Sequence, residues 1–197
     1  MQNINAVATA ISMASRFVNL LETDLLPRLR AKGGRKTLPP TLNVGVIRGG
    51  QQPSSVADHC LVKIDRRWTP EEDLQTVFQE IYDLFDVLKK ADPHFRAELK
   101  RDHTNMKTMT HVPNYVPGDH RLVQSLKESV ASVTGGPAKV TSFWGWTDAS
   151  LMTHFGKTPT VVFGPGGAGA HSRTEYVLTE DLQKCMLVYS RTAMDVC

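Results

Sequence analysis

The sequence predicts an α+β chain in two parts, a helix–strand–strand–helix–strand unit over residues 1–112 and an α/β segment over residues 113–197. Three observations carry this expectation. Apolar residues recur at helical spacing in four long runs, and they alternate with period two in two of the short runs between them. A proline-rich stretch, His111-Val112-Pro113-Asn114-Tyr115-Val116-Pro117-Gly118, then separates one order of elements from the other as a crossing between domains.

Ile4, Val7, Ile11, Ala14, Val18, Leu21 and Leu25 form one apolar stripe and predict a long amphipathic helix, ended by Pro27 and the Gly33-Gly34 pair. Pro39-Pro40 introduces a half-buried strand carrying Leu42, Val44 and Val46, and Gly49-Gly50 stops it. A second strand, HCLVKIDRR, sets Cys60, Val62 and Ile64 against Leu61, Lys63 and Asp65. Thr69-Pro70-Glu71-Glu72 reads as a helix start, with Thr69 as N-cap, proline in the first turn and acids facing the dipole. Leu74, Val77, Phe78, Ile81, Leu84, Phe85 and Leu88 mark the helix, Ala91-Asp92-Pro93 its end, and FRAELKR a last strand. With one more strand in front, this order is the ferredoxin-like βαββαβ unit. In such a sheet the first strand sits inside, next to the third, so its loss leaves unpaired backbone in the middle.

After the crossing, Leu122, Leu126, Val130 and Val133 mark a helix ending at Gly135-Gly136, and AKVTSF reads as a strand. DASLMTHF is a short helix with Asp148 as N-cap and Gly156 beyond its end, and PTVVF is a buried strand. Leu182, Met186, Tyr189 and Ala193 line a final helix. Alternating helices and strands make this an α/β layer pattern.

Composition narrows the function classes. With 197 residues, 41% hydrophobic and 22% charged, the chain has enough apolar content for a globular core. The net charge of +3 is mild, and the densest basic stretch, Arg28 to Lys36, includes three small residues and no aromatic. It reads as a solvated loop, so no nucleic-acid partner is expected. Three cysteines without a CxxC pair argue against a disulfide framework and fit a reducing compartment. No apolar run approaches the ~20 residues of a membrane helix, and MQNINAVATA has no signal-peptide pattern. Cytoplasm, with no membrane partner, is the expected location.

The segment Pro159 to Val177, PTVVFGPGGAGAHSRTEYV, is the most informative. Gly164, Gly166 and Gly169 satisfy GxGxxG after a strand, the dinucleotide fingerprint. That fingerprint needs the glycines to open a helix, whereas this loop runs into His-Ser-Arg-Thr-Glu and helical periodicity resumes only near Leu182. The reading preferred is a loop presenting His171 beyond the carboxyl end of a strand, with Glu175 as a partner that orients it or as a solvated acid.

The run GPG–spacer–AHSRTEYV, preceded by WTDAS and GKTPTVV, resembles the C-terminal signature of the dinuclear-zinc peptidase family that includes acetylornithine deacetylase, succinyl-diaminopimelate desuccinylase and carboxypeptidase G. Upstream, NVGVIRGGQQPSSVADHCLVKIDRRWTPEE is similar to that family's lid-domain signature, and INAV to the start of the lid's first helix. The resemblance spans essentially the whole chain in consistent order. It implies a lid, or dimerisation, domain over 1–112 that lacks its first strand, and the C-terminal segment of a zinc-peptidase catalytic domain over 113–197.

It also implies roles. His171 matches a metal ligand, for zinc or for another divalent ion such as cobalt. Arg67 matches the lid arginine that clamps a substrate carboxylate, a task for which a planar, always charged fork is suited; without the motif, a surface ion pair is the ordinary reading. Ser54 stands where many members have an asparagine that holds substrate, and a hydroxyl is shorter than an amide. Gly145 and Trp146 fall on a substrate-contacting loop. Trp146 narrows the pocket, stacks on an acyl group, or packs with Phe143 and Trp144 between domains. The family's remaining metal ligands, its general base and its lid histidine match nothing in this chain, and a catalytic zinc takes three protein ligands and a water.

Two functions follow. One is a share of a hydrolase that cleaves an N-acyl or peptide amide next to a free carboxylate, acting as a homodimer through the lid and inactive as this chain alone. The other is a non-catalytic dimerisation or binding module.

Overall fold

The computed structural model describes residues 9–32, 38–102, 111–143 and 145–197, and its first element opens on a cap. Thr9 Oγ1 accepts a hydrogen bond from the Ser12 amide at 3.1 Å, and helix α1 runs Ala10–Leu20. Ile4 and Val7 of the expected stripe, and the Gly33-Gly34 stop, lie outside the described residues. Pro27, expected to end the helix, does not. The chain widens into a π-turn over Leu21–Leu25, with the Leu26 amide bonding to Leu21 O, and continues as α2, Leu26–Ala31. An interior proline lacks its donor and presses on the carbonyl four residues earlier; a wide turn just before it relieves both. The helix thereby keeps Leu21, Leu25 and Leu29 on one face, all at 0% exposure.

Strands β1, Thr41–Gly49, and β2, Cys60–Arg67, pair antiparallel from Thr41↔Arg67 to Gly49↔Cys60, with a register shift between Val44 and Val46. The predicted alternation turns Leu42, Val44, Val62 and Ile64 toward the helices. Helix α3, Leu74–Ala91, starts later than expected. Its N-cap is Asp73, whose Oδ1 accepts from the Thr76 amide at 2.7 Å. Thr69 instead opens a turn, closed by the Glu72 amide on Thr69 O at 3.0 Å, in which Pro70 fixes the backbone. Phe17, Leu21, Leu25 and Leu29 of the first helical stretch meet Ile81, Leu84, Phe85 and Leu88 of α3 in one core, with Phe95 closing it. Phe17 and Phe95 flank Phe85 with ring centroids at 5.1 and 5.9 Å.

FRAELKR, expected as a strand, joins no ladder; the sheet of this unit has two strands among the described residues. Phe95 is nevertheless buried and Leu99 packs on the core, so the segment covers the core without backbone pairing.

The chain divides into two units, Met1–Met109 and Thr110–Cys197. In the second, α4 (Arg121–Thr134) ends at Gly135 with φ 76°, as the glycine pair predicts. Helix α5 is Ala149–His154, with Asp148 at the cap position but making no capping bond. A hairpin of β3 (Gly167–Ala168) and β4 (Tyr176–Val177) precedes α6, Thr179–Val196. AKVTSF and PTVVF enter no ladder among the described residues. The stripe expected to pack α6 is also corrected. Its buried face is Cys185, Val188 and Thr192, set beside Val123, Ser125 and Ser129 of α4, while Leu182, Met186 and Tyr189 are 47–62% exposed. No helix among the described residues is long and apolar enough to cross a membrane.

Candidate functional site

The end of β2 places two adjacent arginines on opposite faces. Alternation puts Arg66 in phase with Cys60, Val62 and Ile64, and Arg67 in phase with Leu61, Lys63 and Asp65. Arg67, the expected carboxylate clamp, is 58% exposed and its Nε donates to Asp65 Oδ2 at 3.2 Å. Arg66 is 4% exposed and lies under the helices. Its Nη2 donates to Glu72 Oε1 at 2.6 Å and to Glu80 Oε2 at 2.9 Å. Lys32 Nζ bridges the same two acids at 3.0 and 2.5 Å, and Glu72 Oε2 accepts from the Thr69 amide at 3.0 Å. Two cations and two anions thus balance inside the unit, tying β2 to α3, to the turn before it and to the end of α2.

Burial alone would raise the Glu72 carboxyl, but hydrogen bonds from Arg66, the Thr69 amide and Lys32 outweigh it and hold the group below its usual value. Burial likewise works against the charged form of Lys32, yet its bonds to Glu80 and Glu72 leave it raised. Arg66 Nη1 also donates to Arg67 O at 2.5 Å, so the buried cluster fixes the backbone that carries the exposed arginine. This cluster escaped the sequence reading, although the strand alternation that selects Ile64 points to Arg66 two residues on. Ser54 is exposed in the β1–β2 connection, beside a turn in which the Ser55 amide bonds Gln52 O at 3.1 Å.

The second unit presents His171 from the β3–β4 hairpin. The glycines close this hairpin rather than open a helix. A side chain on Gly167 would come within 2.1 Å of Tyr176 O across the pair, and Gly169 has φ +75°. His171 itself has φ 65°, a left-handed backbone uncommon for a residue with a side chain. Such strain persists where the surroundings enforce it, and it concentrates at functional positions. Here the Ser172 amide bonds Gly169 O at 2.8 Å and Glu175 Oε2 accepts from the His171 amide at 3.2 Å. Glu175 therefore bonds the backbone of His171, which leaves the imidazole at the exposed tip.

Trp146 stacks on His111 with centroids 4.8 Å apart and planes at 35°. Gly145 is exposed beside the Phe143 ring, which a side chain at 145 would meet at 2.4 Å, and Trp144 lies outside the described residues. The crossing segment is stitched to α5 and the residues after it. His154 Nε2 meets Pro113 O at 2.9 Å, and Asn114 Nδ2 donates to Thr160 O at 2.8 Å. Ser54 and Arg67 belong to the first unit, and Gly145, Trp146 and His171 to the second.

Among the described residues no three His, Cys, Asp or Glu side chains converge as a metal site. The fit to a catalytic zinc, which needs three protein ligands, is therefore incomplete, with His171 as the one candidate that the hairpin presents. Calorimetry of this chain with zinc at neutral pH is expected to show no stoichiometric submicromolar site. A tight site lost on His171→Ala would overturn that count.

Comparison with known proteins adds a family and a length. Residues 3–93 match the model of a peptidase dimerisation domain. The acetylornithine deacetylase of Myxococcus xanthus is 32% identical over 193 residues, which are 96% of this chain and 47% of the relative. Among solved structures, aminopeptidase PepT from Bacillus cereus aligns with TM-score 0.68 at 22% identity, over 95% of this chain and 45% of that one. An M20 family metallo-carboxypeptidase from Sulfolobus solfataricus aligns with TM-score 0.59 at 17% identity, over 92% and 44%. The last two speak for the fold. The chain spans about half the length of each of these relatives.

Proposed function

From the premise that the chain belongs to the M20 peptidase family and carries its dimerisation domain over residues 3–93, we propose that it forms part of a metal-dependent hydrolase acting on an N-acyl or peptide amide beside a free carboxylate. The observation that carries this reading is that the first unit holds an exposed arginine on an anchored strand end and, separately, the second holds a histidine on a strained, glycine-closed hairpin. Arg67 binds the substrate carboxylate, and Asp65 orients it through Nε. His171 contributes one ligand to a divalent metal site, zinc in the first instance. Residues 1–112 act as the lid and 113–197 as a segment of the catalytic domain. Ser54 in the first unit, and Gly145 and Trp146 in the second, are the candidate substrate contacts. This chain alone is inactive, because one ligand does not complete the site. The second reading, a dimerisation module without catalysis, is favoured by the lack of a three-ligand cluster among the described residues.

The test is hydrolysis of N-acetyl amino acids by this chain joined to the half of the Myxococcus xanthus relative that it does not span, with zinc or cobalt supplied. Activity abolished by His171→Ala is the expected result, and inactivity of the joined protein toward every N-acyl amino acid would favour the module. In that protein Arg67→Ala is expected to raise KM for carboxylate substrates roughly ten- to hundred-fold, with kcat little changed. A charge-assisted hydrogen bond contributes ~1.5–3 kcal/mol to ground and transition states alike. An unchanged KM would leave Arg67 as a surface ion pair with Asp65. Light scattering of the present chain at micromolar concentration is expected to give a dimer through residues 3–93, and a monomer there would count against pairing through this domain.

A further inference from the structure

Two buried hydroxyls where α4 meets α6 have no hydrogen-bond partner among the described residues. They are Ser125 Oγ of α4 and Thr192 Oγ1 of α6, on residues that are 4% and 7% exposed. Buried hydroxyls are nearly always paired, because an unpaired one keeps its full desolvation cost. A serine in a helix commonly escapes that cost by donating to the carbonyl four residues back. Ser15 does so to Ile11 O and Ser190 to Met186 O, each at 2.9 Å. Ser125 does not.

Ser125 also lines a cleft of about 430 Å³ between the two helices, with Glu128 and Ser129 of α4 and Arg191, Met194 and Asp195 of α6. The two serines are buried and the three charged residues exposed, so hydroxyls lie deep and charges stand at the rim. Those charges are uncommitted. Among the described residues the side chains of Glu128, Arg191 and Asp195 make no hydrogen bond or ion pair, whereas Glu180 and Lys184 on the same helix pair with each other. Arg121 Nη2 donates to Asp195 O and brings a second cation to that end. Two anions and two cations therefore share the opening.

This set selects its ligand by charge. A metal ion would meet the Arg191 guanidinium and only two carboxylates. A phosphate would meet Glu128 and Asp195, and an apolar molecule would find Met194 alone. A molecule with both an ammonium and a carboxylate satisfies every group, each through a charge-assisted bond.

We infer that the α4–α6 cleft binds a small zwitterion of the amino-acid type, with its carboxylate on Arg191, its ammonium on Glu128 and Asp195, and Ser125 Oγ turned onto it. The site does not require the proposed reaction, although that reaction would release such a zwitterion from an N-acyl precursor that lacks the ammonium. The volume admits a free amino acid or a dipeptide, two sources of the same chemistry.

Titration of the full isotope-labelled chain with L-alanine and with L-alanyl-L-alanine, followed by backbone amide shifts, tests it. Saturable shifts at 125–129 and 191–195, with Kd of about 1 mM or below, are expected for at least one of them. The tighter of the two identifies the source. N-acetyl-L-alanine and ethylamine, each lacking one charge, should bind about ten-fold more weakly or worse. Arg191→Gln and Glu128→Gln, at exposed positions, should weaken the zwitterion to a similar degree. Ser125→Ala supplies a second measurement. Removing an unpartnered hydroxyl should leave the thermal midpoint unchanged or raised while weakening the probe about three-fold or more. A lowered midpoint would show that Ser125 already has a partner, and it overturns the inference. So does the lack of a saturable shift with either zwitterion up to about 10 mM, or equal binding of N-acetyl-L-alanine or ethylamine. Binding as described in a chain whose joined form hydrolyses no N-acyl amino acid supports the site and defeats the proposed reaction.

Discussion

Replacing Arg66 by alanine is expected to cost the first unit about 3–5 kcal/mol, because it strands two buried carboxylates rather than removing one contact. Arg66 is 4% exposed, and its partners Glu72 and Glu80 are 8% and 10% exposed. Lys32, the remaining cation, is 41% exposed and bridges both acids without replacing the guanidinium fork. The measurement is urea unfolding followed by Trp68, with Trp144 and Trp146 changed to phenylalanine. Arg67→Ala, which disturbs an exposed pair with Asp65, should lower the unfolding free energy by no more than ~1 kcal/mol. Arg66→Met combined with Glu72→Gln and Glu80→Gln should fall between them, since the buried charges leave together.

The pH dependence of the same transition checks the mechanism. The Glu72 carboxyl is held below its usual value in the folded state. Its contribution is therefore fully present above the unfolded carboxylate range, about 4.3, and is lost as pH falls through the lower folded value. Acid destabilisation should be shallower in Arg66→Ala, where that depression is largely gone. An Arg66→Ala protein as stable as the parent would mean that the cluster is solvated and does not anchor β2.

Much of the first unit was legible because its signals are local. The apolar spacing of α3 and the alternation of β2 each name the residues that face the core. Local rules fail where neighbouring residues override them. Pro27 reads as a stop, but three core leucines, at 21, 25 and 29, hold the helix on course and a π-turn absorbs the ring. Thr69 reads as an N-cap, but Asp73 is better placed once Pro70 has closed a turn. The strands at 95–101, 138–143 and 159–163 have strand composition without ladders, because a strand is defined by neighbours and composition alone supplies none. The site shows the same division. The motif names His171 as a candidate, while its strained backbone and the Glu175 bond to its amide are tertiary facts that spacing does not encode.

Leu84→Ala on α3 is expected to destabilise the first unit by about 2–5 kcal/mol, whereas Val87→Ala, three residues along the same helix, should stay within ~0.5 kcal/mol. Leu84 is 2% exposed and shares one core cluster with Phe17, Leu25 and Leu29, while Val87 is 51% exposed. Alanine is the better helix former at either position, so any loss at 84 reflects packing and the cavity left behind. The expected cost lies toward the upper end because the surroundings resist collapse. On one side the helix is fixed by the π-turn, and on the other the Arg66 cluster fixes β2 against α3. Urea melts on Trp68 fluorescence give the difference directly. A cost below ~1 kcal/mol at Leu84 would show that the helices close onto the gap, and thus that the two-stranded sheet and its helical layer are looser than the buried cluster implies.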